Sequence, residues 1–352
     1  MKTTALFAAC FAFLLLNAAG VESRRCHCDD DDNGNGNGSD QPSSYKLFVF
    51  GDSFADTGNL PKGDLKWETR GWYEPSGISD ADHGNKPTGR CSDGMVQSDF
   101  LAKIILGQKE APPPERIRRQ EGVDLSSGIN FALSGAGVFP GWNLDTQIDR
   151  FRRLLRHKII DKDLSQSVAL VSISSGADYS GAPSDLPDQD PLYIKNVTDG
   201  IVDGVRQLQD LGVANVLVNL MPPLGCTPWN TRADNYTKCE KDEITGEHNK
   251  RLMHKLGDDD SVLLLDLHAV FKSIVTTKTE RQFYHRHTPC CESFEENEDG
   301  FCGQVDGEGN LQYTLCDRPD EYFYWDSTNP TQAGWKAVME QLEGTIKDYL
   351  GI

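Results

Sequence analysis

The sequence predicts a three-layer α/β/α fold, in which a doubly wound, mostly parallel five-stranded sheet is covered by helices on both faces. Three observations predict it. Five short apolar runs, rich in β-branched residues, alternate with helix-like segments. The runs show no polar alternation, as expected for strands that are buried on both faces. No internal repeat interrupts the pattern, and 352 residues are enough for one large domain with a sizeable core.

The predicted elements follow one another along the chain. Strand-like runs cover residues 46–50, 128–132, 168–173, 215–220 and 262–266. Helix-like segments cover residues 95–106, 144–160, 193–211, 239–256 and 332–349. Two long insertions interrupt this alternation, at residues 63–90 and 283–320, and loops of that length are usually functional or cross-linked. In a doubly wound fold, the functional site lies at the carboxyl ends of the strands.

Residues 1–20 are typical of a signal peptide that directs export. Lys2 precedes an apolar run over residues 5–16 that is too short to span a bilayer, and small residues suited to cleavage end at Gly20. Residues 21–44 are acidic and rich in glycine and asparagine, with almost no apolar side chain, which predicts a disordered linker. We therefore expect a secreted, monomeric protein without a transmembrane segment, whose single folded domain spans residues 45–352.

The composition excludes several classes of function. A net charge of −19 leaves no basic face for a nucleic acid, and it disfavours binding to anionic membranes. The sequence contains no phosphate-binding loop, no dinucleotide-binding motif and no zinc-protease motif, and no cysteine–histidine cluster has convincing metal-ligand spacing. We therefore expect neither a cofactor nor a metal ion.

The cysteines fit an oxidising compartment, where most of the nine that follow residue 20 should pair. Cys226 and Cys239 close a short loop and should form a disulfide bond. Three connectivities remain open for the four late cysteines, which are Cys290, Cys291, Cys302 and Cys316. Export is also favoured by three sequons for N-linked glycosylation, at Asn37, Asn196 and Asn235.

A serine follows the first predicted strand at the place where a nucleophile would be presented. Ser53 stands just after the run 46–50, and the amides of a following helix would help to stabilise an oxyanion. On position alone, a helix cap is the simpler interpretation of this serine. The segment also departs from the G-x-S-x-G nucleophile elbow, because Ala55 takes the place of the last glycine.

Six segments along residues 45–350 carry a family resemblance: FVFGDSFADTGN (48–59), GRCSDG (89–94), NFALSGAG (130–137), PPLGCTP (222–228), the late cysteines, and YWDSTNPT (324–331). In this order they resemble the plant GDSL esterase/lipase family of the SGNH hydrolases. The resemblance implies a Ser–His–Asp triad that cleaves carboxylic esters, such as acyl esters of lipids or acetylated polysaccharides. Ser53 matches the nucleophile and Asp326 the triad acid, while Gly135 matches a glycine whose backbone N–H completes the oxyanion hole with that of Ser53.

Two positions depart from the family's pattern. Asn329 stands three residues after Asp326, where the family has its triad histidine, and an amide takes up no proton near neutral pH. Ala177, in the segment VSISSGADY (171–179), stands where the family has an oxyanion asparagine. Both departures predict a degenerate site with weak ester hydrolysis. The alternative is a non-catalytic relative that binds an acylated or glycan ligand in the same cleft.

None of the other histidines is an evident substitute for the missing base. His157, His248 and His254 lie on charged faces of helix-like segments, which predicts that they are solvated. His285 and His287 precede the late cysteines in an insertion that would have to approach the site. Among the aromatic residues, three in the polar insertion 63–90 are the best candidates for lining a groove: Trp67, Trp72 and Tyr73.

Overall fold

The computed structural model describes residues 45–141, 143–180, 191–240, 242–276, 282–294 and 300–352. All of them belong to the second of two units into which the chain divides, Pro42–Ile352. The predicted signal peptide and linker, with Cys26, Cys28 and Asn37, lie outside the described residues, as does Trp142. The proposed division into leader, linker and domain therefore stays a prediction.

A five-stranded parallel sheet forms the centre of the fold and confirms the predicted class. Its strands are β1 (Lys46–Gly51), β2 (Gly128–Asn130), β3 (Ser167–Ser172), β4 (Asn215–Asn219) and β5 (Val262–Leu265). Their order in the sheet is β2-β1-β3-β4-β5, and every neighbouring pair is parallel. Each strand lies within a predicted apolar run or extends beyond it by one residue.

The helices are α1 (Gln97–Leu106), α2 (Leu144–Arg156), α3 (Ala177–Ser180), α4 (Pro191–Asp210), α5 (Pro228–Thr231), α6 (Glu243–Leu256), α7 (Leu267–Thr276) and α8 (Gln332–Leu350). Helix α6 begins later than predicted because the Asp242 side chain caps it, accepting a hydrogen bond from the Thr245 backbone. Helix α7 was missed, since it starts directly after β5 without an intervening turn signal.

Two hydrophobic cores lie on opposite faces of the sheet. Successive side chains of a strand point to opposite faces, so Leu47 and Val49 of β1 pack with α1, α7 and α8. Phe48 and Phe50 of the same strand pack with α2, α4 and α6. This division explains why the strands read as continuous apolar runs, because both faces are covered by helices.

The strand order reverses between β1 and β3. From β1 the chain adds β2 on one side and then β3, β4 and β5 on the other. In open parallel sheets, a crevice for ligands forms at such a reversal, outside the carboxyl ends of the strands. The loops that follow β1 and β3 therefore flank the expected site.

The cysteine-rich insertion contributes strands to two small sheets separate from the central one. Strand β6 (His285–Pro289) pairs in parallel with β9 (Tyr322–Tyr324), and β7 (Cys291–Ser293) pairs antiparallel with β8 (Tyr313–Leu315). The predicted Cys226–Cys239 disulfide is confirmed, and the connectivity that the sequence left open is Cys290–Cys316 and Cys291–Cys302. Among the cysteines in the described ranges, Cys91 alone is unpaired, and it is buried. No helix in those ranges is both long and apolar enough to cross a membrane.

Candidate active site

The turn after β1 presents Ser53 at the strand-order reversal. Gly51 ends the strand with φ of +153°, and a Cβ there would lie 2.4 Å from the Ser172 carbonyl oxygen. The Gln147 side chain clamps this glycine, accepting from its N–H at 2.8 Å and donating to its carbonyl at 2.9 Å. These constraints fix the direction in which the chain leaves the strand, and so the position of the buried Ser53.

Asn329 is the hydrogen-bond partner of Ser53. The serine hydroxyl donates to Asn329 Oδ1 at 2.9 Å, across 276 residues of sequence. The amide nitrogen of Asn329 donates in turn to both carboxylate oxygens of Asp326, at 3.0 and 3.1 Å. The three predicted residues are therefore brought together in the order serine, amide, carboxylate. The amide reproduces the two hydrogen bonds of a triad imidazole, but it accepts no proton.

The carboxylate of Asp326 is buried and fully engaged. Its Oδ1 accepts from the backbone N–H groups of Thr328 at 3.0 Å and Asn329 at 2.7 Å, which folds the 326–329 segment into a tight turn. Its Oδ2 accepts from Arg70 Nε at 3.0 Å and from Arg70 Nη2 at 2.9 Å. Asp326 and Arg70 are each only 2–3% exposed, so this ion pair is shielded from water.

Arg70 contributes to the site although the sequence did not indicate it. It lies in the polar insertion 63–90 and reaches a carboxylate 256 residues away. Its guanidinium also lies over the Trp67 ring, 4.1 Å from the centroid, and Nη1 donates to the Trp67 carbonyl. No spacing signal identifies such a contact, because an arginine in a polar insertion is ordinarily a solvated one.

The two backbone N–H groups expected to form the oxyanion hole have no acceptor within the part of the chain that the structure describes; they belong to Ser53 and Gly135. Asp56 shapes both turns at once, since its carboxylate accepts from the N–H of Asn59 at 2.7 Å and of Ser134 at 2.8 Å. Gly135 has φ of +77°, a conformation that favours glycine. Ala177 begins α3 after the β3 loop and offers only a methyl group as its side chain.

Asp52 precedes the serine but is poorly placed to act as its base. Burial raises the pKa of Asp52 to about 6, against the opposing effect of hydrogen bonds from backbone N–H groups. Its Oδ2 accepts from Ser174 and Ser175 at 2.7 Å each, and Oδ1 accepts from Phe54 at 3.0 Å. The carboxylate therefore ties the β1 turn to the β3 loop.

The histidine positions include one wrong prediction. His248, expected to be solvated, is completely buried, and its Nδ1 lies 2.7 Å from the Tyr179 hydroxyl. Burial lowers its pKa to about 3, so the ring is neutral. His248 shares the buried face of α6 with Thr245 and Leu252, at helical spacing. The charged residues next to it in the sequence made that face hard to recognise. His287 lies against the Cys226 carbonyl at 3.3 Å, and His285 stacks on the Tyr322 ring at 4.0 Å. Neither of these contacts involves Ser53.

Two tryptophans flank the Asp326–Asn329 turn. Trp67 packs on Arg70, while the Trp229 backbone N–H donates to the Ser327 carbonyl at 2.9 Å. Their rings meet edge to face with 6.5 Å between centroids, and Trp229 is 42% exposed. Trp72 differs, because its indole N–H donates to the carbonyl of Leu60, just before the insertion. No group of acidic, histidine and cysteine side chains in the described ranges is arranged to hold a metal ion.

Comparison with known proteins identifies the family. The family model described as GDSL-like Lipase/Acylhydrolase matches residues 47–342. One GDSL esterase/lipase of Arabidopsis thaliana is 34% identical over 338 residues, covering 89% of this chain and 93% of the relative. Another from the same plant is 36% identical over 322 residues, covering 86% of each. The chain belongs to the plant GDSL esterase/lipase family.

This membership confirms the resemblance seen in the six segments. Among solved structures, a catalytic mutant of the acetylxylan esterase Axe2 from Geobacillus stearothermophilus aligns with 13% identity and a TM-score of 0.39, over 88% of this chain and 96% of that one. So distant a likeness bears on neither substrate nor mechanism. The family membership leaves two expectations as predictions, namely that relatives hold a histidine at the place of Asn329 and an asparagine at the place of Ala177.

Proposed function

We propose that this GDSL family member is a secreted carboxylic ester hydrolase that acts through Ser53 with low turnover. The observation that carries the proposal is the hydrogen-bonded series from Ser53 through Asn329 to Asp326, at distances of 2.9 to 3.1 Å. This hydrogen bond holds the serine hydroxyl, and within the described ranges the backbone N–H groups of Ser53 and Gly135 have no acceptor. Positioning and oxyanion stabilisation both contribute to acyl transfer without a proton acceptor.

Low turnover follows from the two substituted positions. For Ser53 to attack an ester carbonyl, its proton must leave, and the Asn329 amide cannot accept it. A general base contributes typically about 10²–10⁴-fold to the rate. The missing side-chain donor at Ala177 removes a further factor of about 10²–10³. These losses do not simply multiply, because catalytic groups act as a unit.

The proposed substrates are small acyl esters, either of lipids or of acetylated polysaccharides. The relatives named above are described as esterase/lipase proteins, which supports an ester bond as the target. The Trp67 and Trp229 rings beside the Asp326–Asn329 turn offer an apolar surface for an acyl chain or a sugar face. The acidic composition and the three disulfide bonds support an exported protein without a nucleic-acid partner.

A second candidate function is the binding of an acylated or glycan ligand without turnover. The observation that favours it is the buried pair of Arg70 and Asp326. In a working triad the carboxylate stabilises an imidazolium that forms during the reaction. Here the permanently charged Arg70 already forms an ion pair with the carboxylate. Such a network has no need of a charge that appears during a reaction, which suits a site that only binds its ligand.

One assay separates the two candidates. The purified protein and its Ser53→Ala variant are compared for hydrolysis of nitrophenyl esters of several chain lengths and for labelling by a fluorophosphonate. A hydrolase shows slow turnover and labelling that both vanish in Ser53→Ala. Absence of serine-dependent turnover and labelling at every chain length would contradict the hydrolase and leave ligand binding.

Repair of the two substituted positions gives a second test. The Ala177→Asn and Asn329→His changes together should raise kcat/KM for a nitrophenyl ester by at least about 10³-fold, because they restore a proton acceptor and an oxyanion donor. The matched control carries the same two changes with Ser53→Ala and should stay inactive. A folded repaired variant no more active than the parent would show that the cleft no longer binds esters productively.

A further inference from the structure

The feature that stands out beyond the triad positions is the buried guanidinium of Arg70. Asp326 is 2% exposed and Arg70 3% exposed, so neither charge is relieved by water. Breaking a buried ion pair leaves an uncompensated charge, which is strongly destabilising. The amide of Asn329 brings hydrogen bonds to this carboxylate but no charge. The positive charge beside Asp326 must therefore come from elsewhere in the fold.

The contacts of Asp326 divide between its two oxygens. Oδ1 serves the local turn, accepting from the backbone N–H groups of Thr328 and Asn329. Oδ2 receives Nε and Nη2 of Arg70 together. Asn329 Nδ2 spans both oxygens. The guanidinium thus neutralises the carboxylate through Oδ2, while Oδ1 binds the backbone N–H groups. The hydrogen bonds from the Asn329 side chain are kept alongside both sets of contacts.

Arg70 is itself fixed by the insertion that carries it. Its guanidinium stacks on the Trp67 ring at 4.1 Å, and Nη1 donates to the Trp67 carbonyl. Three further ionisable groups lie near this pair: Glu68 interacts with Arg70, Cys91 interacts with both Arg70 and Asp326, and Asp56 interacts with Cys91. All three are acids, so the guanidinium is the one cation among these named neighbours.

We infer that Arg70 is a positioning residue that supplies the positive charge an imidazolium would bring to Asp326, and so holds the carboxylate in place as the anchor of Asn329 and Ser53. The inference rests on the proposed function only in taking position 329 as the site of the triad base. The hydrogen bonds of the Arg70 side chain go to Asp326 and to the Trp67 carbonyl rather than to Ser53, so Arg70 acts on the serine through Asp326.

The first test places an imidazole at position 329 and reads its pKa by NMR, which needs no catalytic activity. A cation that neutralises Asp326 holds the pKa of that imidazole down, because the imidazolium then gains less from the carboxylate. In Asn329→His/Arg70→Gln the pKa of the imidazole should therefore rise, so that its acid dissociation constant is at least about tenfold lower than in Asn329→His alone. In Asn329→His/Arg70→Lys, which keeps the charge, the pKa should stay near that of Asn329→His.

The lysine variant separates a charge effect from a packing effect. Lysine lacks the planar fork and the stacking surface of arginine, so a purely structural role would make it behave like glutamine. An unchanged imidazole pKa in the glutamine variant, or a lysine variant that follows the glutamine one, would overturn the inference. Neither result depends on whether Ser53 hydrolyses esters, so failure here is distinct from failure of the proposed function.

A second measurement covers the case in which Arg70→Gln folds poorly. In the parent background, Arg70→Gln leaves the Asp326 charge unpaired, whereas Arg70→Gln/Asp326→Asn removes that charge. The double variant should therefore unfold at a higher urea midpoint than Arg70→Gln alone. The deficit of Arg70→Gln should also shrink as pH falls, because protonation of the unpaired carboxyl then becomes possible. A double variant less stable than Arg70→Gln would contradict the inference.

Discussion

The amide at position 329 shows how far one side chain can imitate another. It accepts from Ser53 with its oxygen and donates to Asp326 with its nitrogen, so it orients both neighbours as an imidazole would. Hydrogen-bond geometry and proton affinity are separate properties, and an asparagine offers the first of these without the second. Asn329 therefore orders Ser53 and Asp326 but takes up no proton itself.

Asp178 gives a prediction at the same scale. Its carboxylate accepts from the Val138 backbone N–H at 3.0 and 3.1 Å and so ties helix α3 to the segment that follows β2. Burial raises the pKa of Asp178 from 3.8 to about 6. The folded state therefore binds its proton more tightly than the unfolded state does, and stability from this group is present below pH 4 and is lost as pH rises through 6.

We expect Asp178→Asn to flatten this dependence, because the amide oxygen keeps one acceptor without a titrating proton. Urea unfolding at pH 4, 5, 6 and 7 measures it. Between pH 4 and 7 the unfolding free energy of the parent should fall relative to the variant by at most on the order of 3 kcal/mol. Identical slopes for parent and variant would show that Asp178 titrates at its ordinary pKa in the fold.

At the scale of elements, the Asp326–Asn329 turn lies between strand β9 and helix α8. The Thr331 backbone N–H donates to the Phe323 carbonyl at 2.9 Å, and the Trp325 N–H donates to the Asn329 carbonyl at 2.7 Å. Helix α8 begins directly after Thr331, its N-cap residue, so only two residues separate the helix from the end of the Asp326–Asn329 turn. The position of Asn329 therefore depends on both flanking elements.

Thr331 is the residue through which this dependence can be measured. Its side chain accepts from the Gly334 N–H at 2.9 Å and donates to the Tyr322 carbonyl at 2.7 Å. Thr331→Ala should lower the unfolding free energy by about 0.5–2 kcal/mol, as expected for the loss of a helix N-cap. Thr331→Ser keeps the hydroxyl and should recover most of it in urea unfolding. Equal losses in both variants would assign the effect to the methyl group instead.

At the scale of the whole molecule, the sheet separates two cores that should respond independently to substitution. Ile148 lies in the core with α2, α4 and α6, and Ile346 in the core with α1, α7 and α8, both fully buried. Each change to valine should cost about 0.5–1.5 kcal/mol. Because the two residues belong to separate hydrophobic clusters, the double variant should equal the sum within about 0.5 kcal/mol in urea unfolding.

A contacting pair on one face provides the control for that additivity. The Phe48 and Phe151 rings lie 4.9 Å apart. Changing both to leucine removes one shared ring contact, so the combined loss should differ from the sum by about 0.5–1.5 kcal/mol. If the pair on opposite faces deviated as much as this one, the two cores would be coupled through the sheet.

The parts of this molecule that were predictable are those encoded by neighbouring residues. The strands were found because continuous β-branched runs such as β3 are buried on both faces. Ser53, Asp326 and Asn329 were found because each stands in a short recognisable segment. Burial of His248 was missed because it depends on which face of α6 meets the sheet, and charged neighbours hid that face. Arg70 was missed because its partner lies 256 residues away, a distance at which no local pattern reports contact.

The Arg70–Asp326 ion pair also affects what a single mutation at position 329 can achieve. A histidine returned to position 329 by a single mutation would meet a carboxylate already neutralised by a guanidinium from a distant insertion. The reversion would then yield a weaker base than the same residue in an unmodified triad. The effect of a histidine at position 329 thus depends on the residue at position 70, and full base strength there would need a second change in the insertion.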